Sequence, residues 1–191
     1  MKLGILGGSF NPIHHGHLII ATRVAEALSL DRVLLIPAAV SPLKAAAGLA
    51  PGSDRWAMVR RAVRGHPILR ASDLELRRGG TSYTVDTLRA LRRRYAGTLH
   101  LIVGADQAGL LPKWRSIEDV ARLARLVIVE RGGHSSGPKV PKLFKAVTVE
   151  VPLLEISSTE IRQRLRQGLS VRYLVPDAVE RYLTQRRLYQ S

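Results

Sequence analysis

Short apolar runs alternating with longer amphipathic stretches restrict this chain to a sheet whose strands are joined through helices. The runs are Lys2–Leu6, Arg32–Ile36, Ile68–Ala71, Leu99–Val103, Leu126–Val129 and Ala146–Val149. The stretches with helical apolar spacing are Gly16–Ser29, Ser53–Arg64, Thr84–Tyr95, Ile117–Leu123, Ser158–Gln167 and Pro176–Arg186. Strands with few polar interruptions are buried on both faces, as happens when crossover helices cover both sides of a parallel sheet. The expected fold class is therefore α/β. A length of 191 residues suits one domain over 1–191, and no internal repeat or low-complexity tail divides it. Ala38–Gly52, rich in Ala, Pro and Gly, is expected to be a mobile flap, and Arg131–Pro141 a surface loop.

Within this pattern the densest chemistry lies at Gly7-Gly8-Ser9-Phe10-Asn11-Pro12-Ile13-His14-His15-Gly16-His17. These residues join the first strand to the first helix. A glycine turn lets backbone N–H groups approach an anion, and a helix N-terminus adds unpaired donors and a favourable dipole. His14 and His17, three apart, project to one side of the first helical turn. The spacing is neither that of a dinucleotide-binding Gly-x-Gly-x-x-Gly nor that of a P-loop. Zinc shared by the two histidines is the competing reading, but no nearby cysteine or carboxylate completes a coordination set. The site is read as a phosphate cradle without a protein-held metal.

Three further segments carry polar groups to the ends of elements. Ile156-Ser157-Ser158-Thr159-Glu160-Ile161-Arg162 contains a capping box, Ser157 with Glu160. The same helix start can also offer N–H groups, hydroxyls and the Arg162 guanidinium to a polyphosphate, and the two readings are compatible. Thr81–Leu88 reads as a helix start with hydroxyls and Asp86 in its first turn. Gly104-Ala105-Asp106 follows the fourth strand, where Asp106 can accept from ribose hydroxyls. Trp114, downstream of it, reads as core or as a ligand platform. In a parallel sheet, ligands bind beyond the carboxyl ends of strands where the strand order reverses, which would link the first and fourth strand ends.

The charge balance is unusual. Thirty Lys and Arg against 15 Asp and Glu give a formal net charge of +15. A nucleic-acid partner would suit such a surplus. The arginines are scattered along amphipathic segments, however, so they read as solvated helix faces that draw anions toward any cleft, with no nucleic acid expected. No apolar run reaches membrane-spanning length and no leader pattern begins the chain. The absence of cysteine suits a reducing cytoplasm. No membrane association is expected, and self-association into homo-oligomers is left open.

With these residues in view, the chain resembles the bacterial nicotinate-nucleotide adenylyltransferases, within the nucleotidyltransferase superfamily that carries a His-x-Gly-His signature. That signature is His14-His15-Gly16-His17, inside the family-type Gly-Gly-Ser/Thr-Phe-Asp/Asn-Pro-x-His-x-Gly-His. The resemblance extends to Thr81–Leu88, Gly104–Asp106 with Trp114, Ile156–Arg162 and Tyr173-Leu174-Val175-Pro176. It implies a Rossmann-like, doubly wound parallel sheet with flanking helices and a small C-terminal helical part. It also implies transfer of the adenylyl group of ATP, accompanied by Mg2+, to nicotinate mononucleotide, giving deamido-NAD and pyrophosphate.

Family roles fall on particular residues. Gly7, Gly8, Ser9, Phe10, His14 and His17 would hold ATP, His17 lying closest to the reacting phosphate. Ile156, Ser157, Ser158, Thr159 and Arg162 would bind the polyphosphate from the opposite side, and Gly104 and Asp106 would face adenosine. His14, His17 and Arg162 are the expected catalytic groups. Lys44, Thr84 and Trp114 would bind the mononucleotide, Trp114 stacking on the pyridine ring. Where the family often has Pro-Pro-His-Lys, this chain has Ser41-Pro42-Leu43-Lys44, preceded by Ala38-Ala39, and Asn11 replaces the commoner aspartate. The rivals are adenylyltransferases acting on nicotinamide mononucleotide or on phosphopantetheine. The latter are usually shorter and lack the Thr81–Leu88 type of segment.

Overall fold

The computed structural model describes residues 1–42, 48–132 and 140–190. Six strands, β1 (Lys2–Gly8), β2 (Arg32–Pro37), β3 (Leu69–Ala71), β4 (Thr98–Gly104), β5 (Arg125–Arg131) and β6 (Ala146–Val151), form one sheet in the order β3-β2-β1-β4-β5-β6. Every neighbouring pair is parallel. This is the doubly wound order, with its switch point between β1 and β4. Each of the six strands lies where apolar runs placed it.

Alternation within the strands feeds two cores. Leu6, Val33, Leu35, Ile102, Val127 and Val129 point to one face, where they meet α1 (His15–Leu28), α2 (Gly52–Ala62), α7 (Ser158–Arg166) and α8 (Asp177–Gln185). Leu3, Ile5, Leu34, Ile36, Leu101 and Ile128 point to the other. There they meet α3 (Leu74–Arg78), α4 (Thr84–Arg92), α5 (Ala105–Ala108) and α6 (Ile117–Leu123). Gly4 is demanded by the first core, since a Cβ there would come within 2.9 Å of both Leu30 and Val33 side chains. The C-terminal α8 is built into this layer: the Tyr182 hydroxyl donates to Asp54 of α2 at 2.7 Å.

One expectation needs correction. Gly7 and Gly8 do not form a turn; they continue β1, in register with Ile36 and Pro37 of β2. The turn begins one residue later because the central strand has partners on its edge as far as Gly8. Sequence reading also missed α3, α5 and a 3-10 turn at Leu111–Lys113. Each is three to five residues long, too short for helical periodicity to be visible. Among the described residues no helix is long and apolar enough to cross a membrane.

Candidate active site

The chain leaving β1 makes a buried loop that sets the two histidines. Phe10 holds a φ of 46°, in the left-handed region that non-glycine residues seldom occupy, and its ring is buried. That ring meets His17 edge-on at 5.0 Å, and His17 in turn lies 3.8 Å from the His14 ring at a 31° tilt. The His14 backbone N–H donates to His17 Nδ1 at 3.3 Å, which fixes the second imidazole against the helix start. Gly16 completes the arrangement. A Cβ at this position would lie 3.0 Å from His14 Nδ1 and 3.1 Å from its Cε1, so the glycine makes room for the ring.

His14 is 5 % exposed, and its Nδ1 is buried without a hydrogen-bond partner. Desolvation, reinforced by the charges of Arg131 and His15, lowers its pKa from 6.5 to about 4. In the unliganded chain at neutral pH it is therefore an uncharged imidazole, able to donate one N–H but contributing no full charge.

The second helix start is brought to the same loop from far along the chain. Ser157 accepts from the Glu160 N–H at 3.1 Å, the expected cap, so this hydroxyl is engaged in ending its own helix. Ser158 instead donates across to the Pro12 carbonyl at 2.8 Å. Arg162 donates through one terminal nitrogen to the Asn11 carbonyl at 2.9 Å and through the other to Thr159 Oγ1 at 3.3 Å. Its Nε is buried and unpaired. Ile156 lines a very small cavity with His14 and Gly16. Arg162, Ser158 and Ile156 thus gather against the histidine loop, as the spacing alone could not show.

Beside β1 and β4 lies a cavity of about 410 Å³, within the size range of small-molecule sites. Its lining includes Gly7, Gly8, Ser9 and Ala38 together with Ser82, Tyr83, Thr84 and Trp114. Nothing lies within 4 Å of where a Gly7 Cβ would project, so the β1 backbone is open to a ligand there. Gly104 and Asp106 sit at the end of β4 outside this lining, although Gln107 belongs to it. A Cβ on Gly104 would stand 2.5 Å from Oδ1 of the exposed Asp106 side chain, which would have to swing aside. Lys44 lies outside the described residues.

Some lining groups had no signal of their own in the sequence. Arg115 lays its guanidinium over the Tyr83 ring at 4.7 Å, and Lys113 precedes Trp114 on the same wall. Glu75 is buried at the cavity, accepting from Thr87 Oγ1 at 2.6 Å. Burial pushes its carboxyl pKa up, against the hydrogen bonds from Thr87 and Ser82 and the charge of Arg78. Trp114 is half-buried with its indole N–H unpaired.

Comparison with known proteins decides the lineage. A family model described as cytidylyltransferase-like matches residues 5–164. A protein of Roseiflexus sp. (strain RS-1) named "Probable nicotinate-nucleotide adenylyltransferase" is 45% identical over 194 residues, covering 98% of each chain. One of the same name from Synechococcus sp. (strain JA-3-3Ab) is 43% identical, covering 98% of this chain and 94% of that one. This chain belongs to the nicotinate-nucleotide adenylyltransferase family. The fold of that family is shared with a solved structure from Plasmodium falciparum, a nicotinic acid mononucleotide adenylyltransferase complexed with NaAD. The two superpose with a TM-score of 0.81 at 21% identity, covering 98% of this chain and 97% of that one. Membership in the adenylyltransferase family agrees with a cavity at the sheet's switch point, where nucleotides bind in doubly wound folds.

Proposed function

We propose that this adenylyltransferase joins ATP to nicotinate mononucleotide, releasing pyrophosphate and forming deamido-NAD for NAD biosynthesis. The observation that carries the reading is the cavity at the end of β1, whose lining joins the glycine strand and Ser9 to Thr84 and Trp114. The adenylyl donor belongs beside β1, His14, His17 and Arg162. The nicotinate ring belongs against Trp114. The ionisable lining of the cavity is Lys113, Arg115 and the buried Glu75, which favours an acidic ring substituent over an amide.

The attacking group is a phosphate monoester with a second pKa of about 6, largely dianionic at neutral pH. It needs no general base. The protein's task is to align two anions and to meet the charge that develops on the α-phosphate oxygens. Neutral His14 and the His17 imidazole offer N–H groups, Arg162 supplies a fixed cation, and the N-termini of α1 and α7 add oriented donors. Removing His17 is therefore expected to reduce turnover far more than ATP affinity.

Among the described residues no group of three or more His, Asp and Glu side chains forms a cation cage. We place Mg2+ on the triphosphate as part of the substrate. A cytoplasmic location, a single domain over 1–191 and the absence of a nucleic-acid partner belong to the same proposal. Lys44 near the mononucleotide phosphate and Asp106 near the ribose complete it. The test is pyrophosphate release from MgATP with nicotinate mononucleotide, run beside nicotinamide mononucleotide and phosphopantetheine. Strong preference for the acid form is expected. Release only with one of the other acceptors would move the activity within the superfamily, and release with none would overturn it.

A further inference from the structure

Arg55, in the first turns of α2, is 1% exposed, the largest fully buried side chain of the described core. No ion pair accompanies it among the described residues. Its guanidinium is spent instead on backbone carbonyls. Nε donates to Ala50 at 3.0 Å, one terminal nitrogen to Ser9 at 2.9 Å and Ala38 at 2.6 Å, and the other to Ala39 at 3.3 Å. Desolvation lowers its pKa, yet guanidinium stays protonated at any pH an enzyme meets. A buried cation without a counter-ion is an expensive way to fill a core position, since well-packed apolar groups do it at less cost.

The four carbonyls explain the expense. Ser9 lies in the loop that leaves β1 for the histidines. Ala38 and Ala39 leave β2 at the start of the flap, and Ala50 closes the flap just before α2. Ser9, Ala38 and the flap residues Ser41 and Pro42 all line the cavity. A second fastening runs parallel to the first: Asn11 Nδ2 donates to the Gly48 carbonyl at 2.9 Å, and Asn11 Oδ1 accepts from the Ala50 N–H at 3.0 Å. On the other side the Ala39 N–H donates to Ser82 Oγ at 2.9 Å. Both ends of the flap are thereby referenced to the nucleotide loop through one rigid, planar group.

We propose that Arg55 is a positioning residue that sets the separation between the adenylyl donor and the acceptor, acting through Ser9 and the two ends of the flap. The inference rests on the adenylyltransferase reading above. Guanidinium is required because its fork reaches three chain segments at once; an ammonium on a lysine stem reaches one or two. Loss of the fork lets donor and acceptor drift, and a displacement near 1 Å costs on the order of 100-fold in rate.

The test is steady-state pyrophosphate release by Arg55→Lys and Arg55→Ala, with ATP affinity measured separately without acceptor. Arg55→Lys is expected to lose on the order of 100-fold in kcat and to raise KM for the mononucleotide, with ATP affinity much less affected. Methylguanidinium added to Arg55→Ala should restore turnover saturably, and methylammonium should not. A folded Arg55→Lys with wild-type kcat, or equal rescue by both cations, overturns the proposal. If neither variant folds, Ser82→Ala decides, because it loosens the Ala39 end of the flap while leaving Arg55 in place. A drop in kcat then supports positioning, and unchanged turnover assigns Arg55 to stability alone. Failure of the wild-type chain itself to release pyrophosphate would instead refute the underlying reading of function.

Discussion

Replacing Gly16 by alanine sets two effects of known size against each other. Gly16 is the second residue of α1, where alanine gains about 1 kcal/mol of helix propensity over glycine. The new methyl, however, would stand 3.0 Å from His14 Nδ1 and 3.1 Å from Cε1, with the Ile156 carbonyl 3.7 Å away. Ordinary carbon contacts begin near 3.5 Å, so the ring must retreat by about half an ångström. Behind it lies a cavity of about 10 Å³, too small to absorb a methyl group, and the His17 ring is only 3.8 Å off. Overpacking of this kind costs about 1–3 kcal/mol, which cancels or slightly exceeds the propensity gain. Stability should therefore change little, falling by at most about 2 kcal/mol. Activity has no such compensation. If 1 Å of misplacement costs about 100-fold, half that distance costs about tenfold in kcat. Urea unfolding and initial-rate pyrophosphate release, measured on one preparation, separate the two terms. A variant that gains about 1 kcal/mol and turns over at the wild-type rate would show that the His14 ring is not held by this contact.

Three other outcomes follow from the geometry. His17→Ala should lower kcat by roughly 10²–10³-fold, as for the loss of one oriented donor at a developing anion, while the Kd for ATP from calorimetry moves far less. His14 titrates near 6.5 when unfolded and near 4 when folded, so the unfolded chain binds the extra proton between these values. Its contribution is fully favourable above pH 6.5 and declines as pH falls toward 4, by about 2 kcal/mol on reaching pH 5. Urea midpoints of wild type and His14→Gln should accordingly converge over that window, and parallel curves would contradict a buried neutral imidazole. Tyr189→Phe removes the hydroxyl that donates to Asn11 Oδ1 at 2.5 Å. Because the Ala50 N–H still satisfies that oxygen, the expected loss is about 1 kcal/mol, and a loss several times larger in urea titration would show that Tyr189 matters through more than this bond.

How far the sequence reveals this arrangement depends on how local each feature is. The strands are legible because residues with adjacent numbers supply their own burial pattern, on both faces in the inner strands β1, β2, β4 and β5 and more weakly in the edge strands β3 and β6. The His14–His17 loop is legible for the same reason: glycines, imidazoles and a helix start lie within eleven residues. The meeting of Arg162 and Ser158 with Asn11 and Pro12 is tertiary, and no spacing encodes it. Arg55 escaped for a different reason. An arginine in an amphipathic helix reads as solvent-facing, since charged residues are seldom fully buried. A usable signal exists, however: Arg55, Met58, Val59 and Ala62 follow the i, i+3, i+4, i+7 spacing of the buried face. A charge on that stripe asks for an internal explanation. Gly104 and Asp106, read from sequence as one turn at the rim, lie outside the lining of the main cavity.

Asn11 also ties the site to the order in which the chain is made. Its neighbours include Gly48, Ala50, Arg162 and Tyr189, so its surroundings are assembled from nearly the whole length of the polypeptide. The strand before it, β1, is flanked by β2 and by the much later β4. During synthesis the histidine motif leaves the ribosome first, yet the residues that fasten it leave last. Pairings so distant in sequence form slowly, and until β4 arrives one apolar strand has an open edge. A nascent chain carrying only the early motif has the histidines but neither the Arg162 cation nor a complete sheet beneath them. Nucleotide chemistry then begins as a single late event of folding and does not build up with chain length.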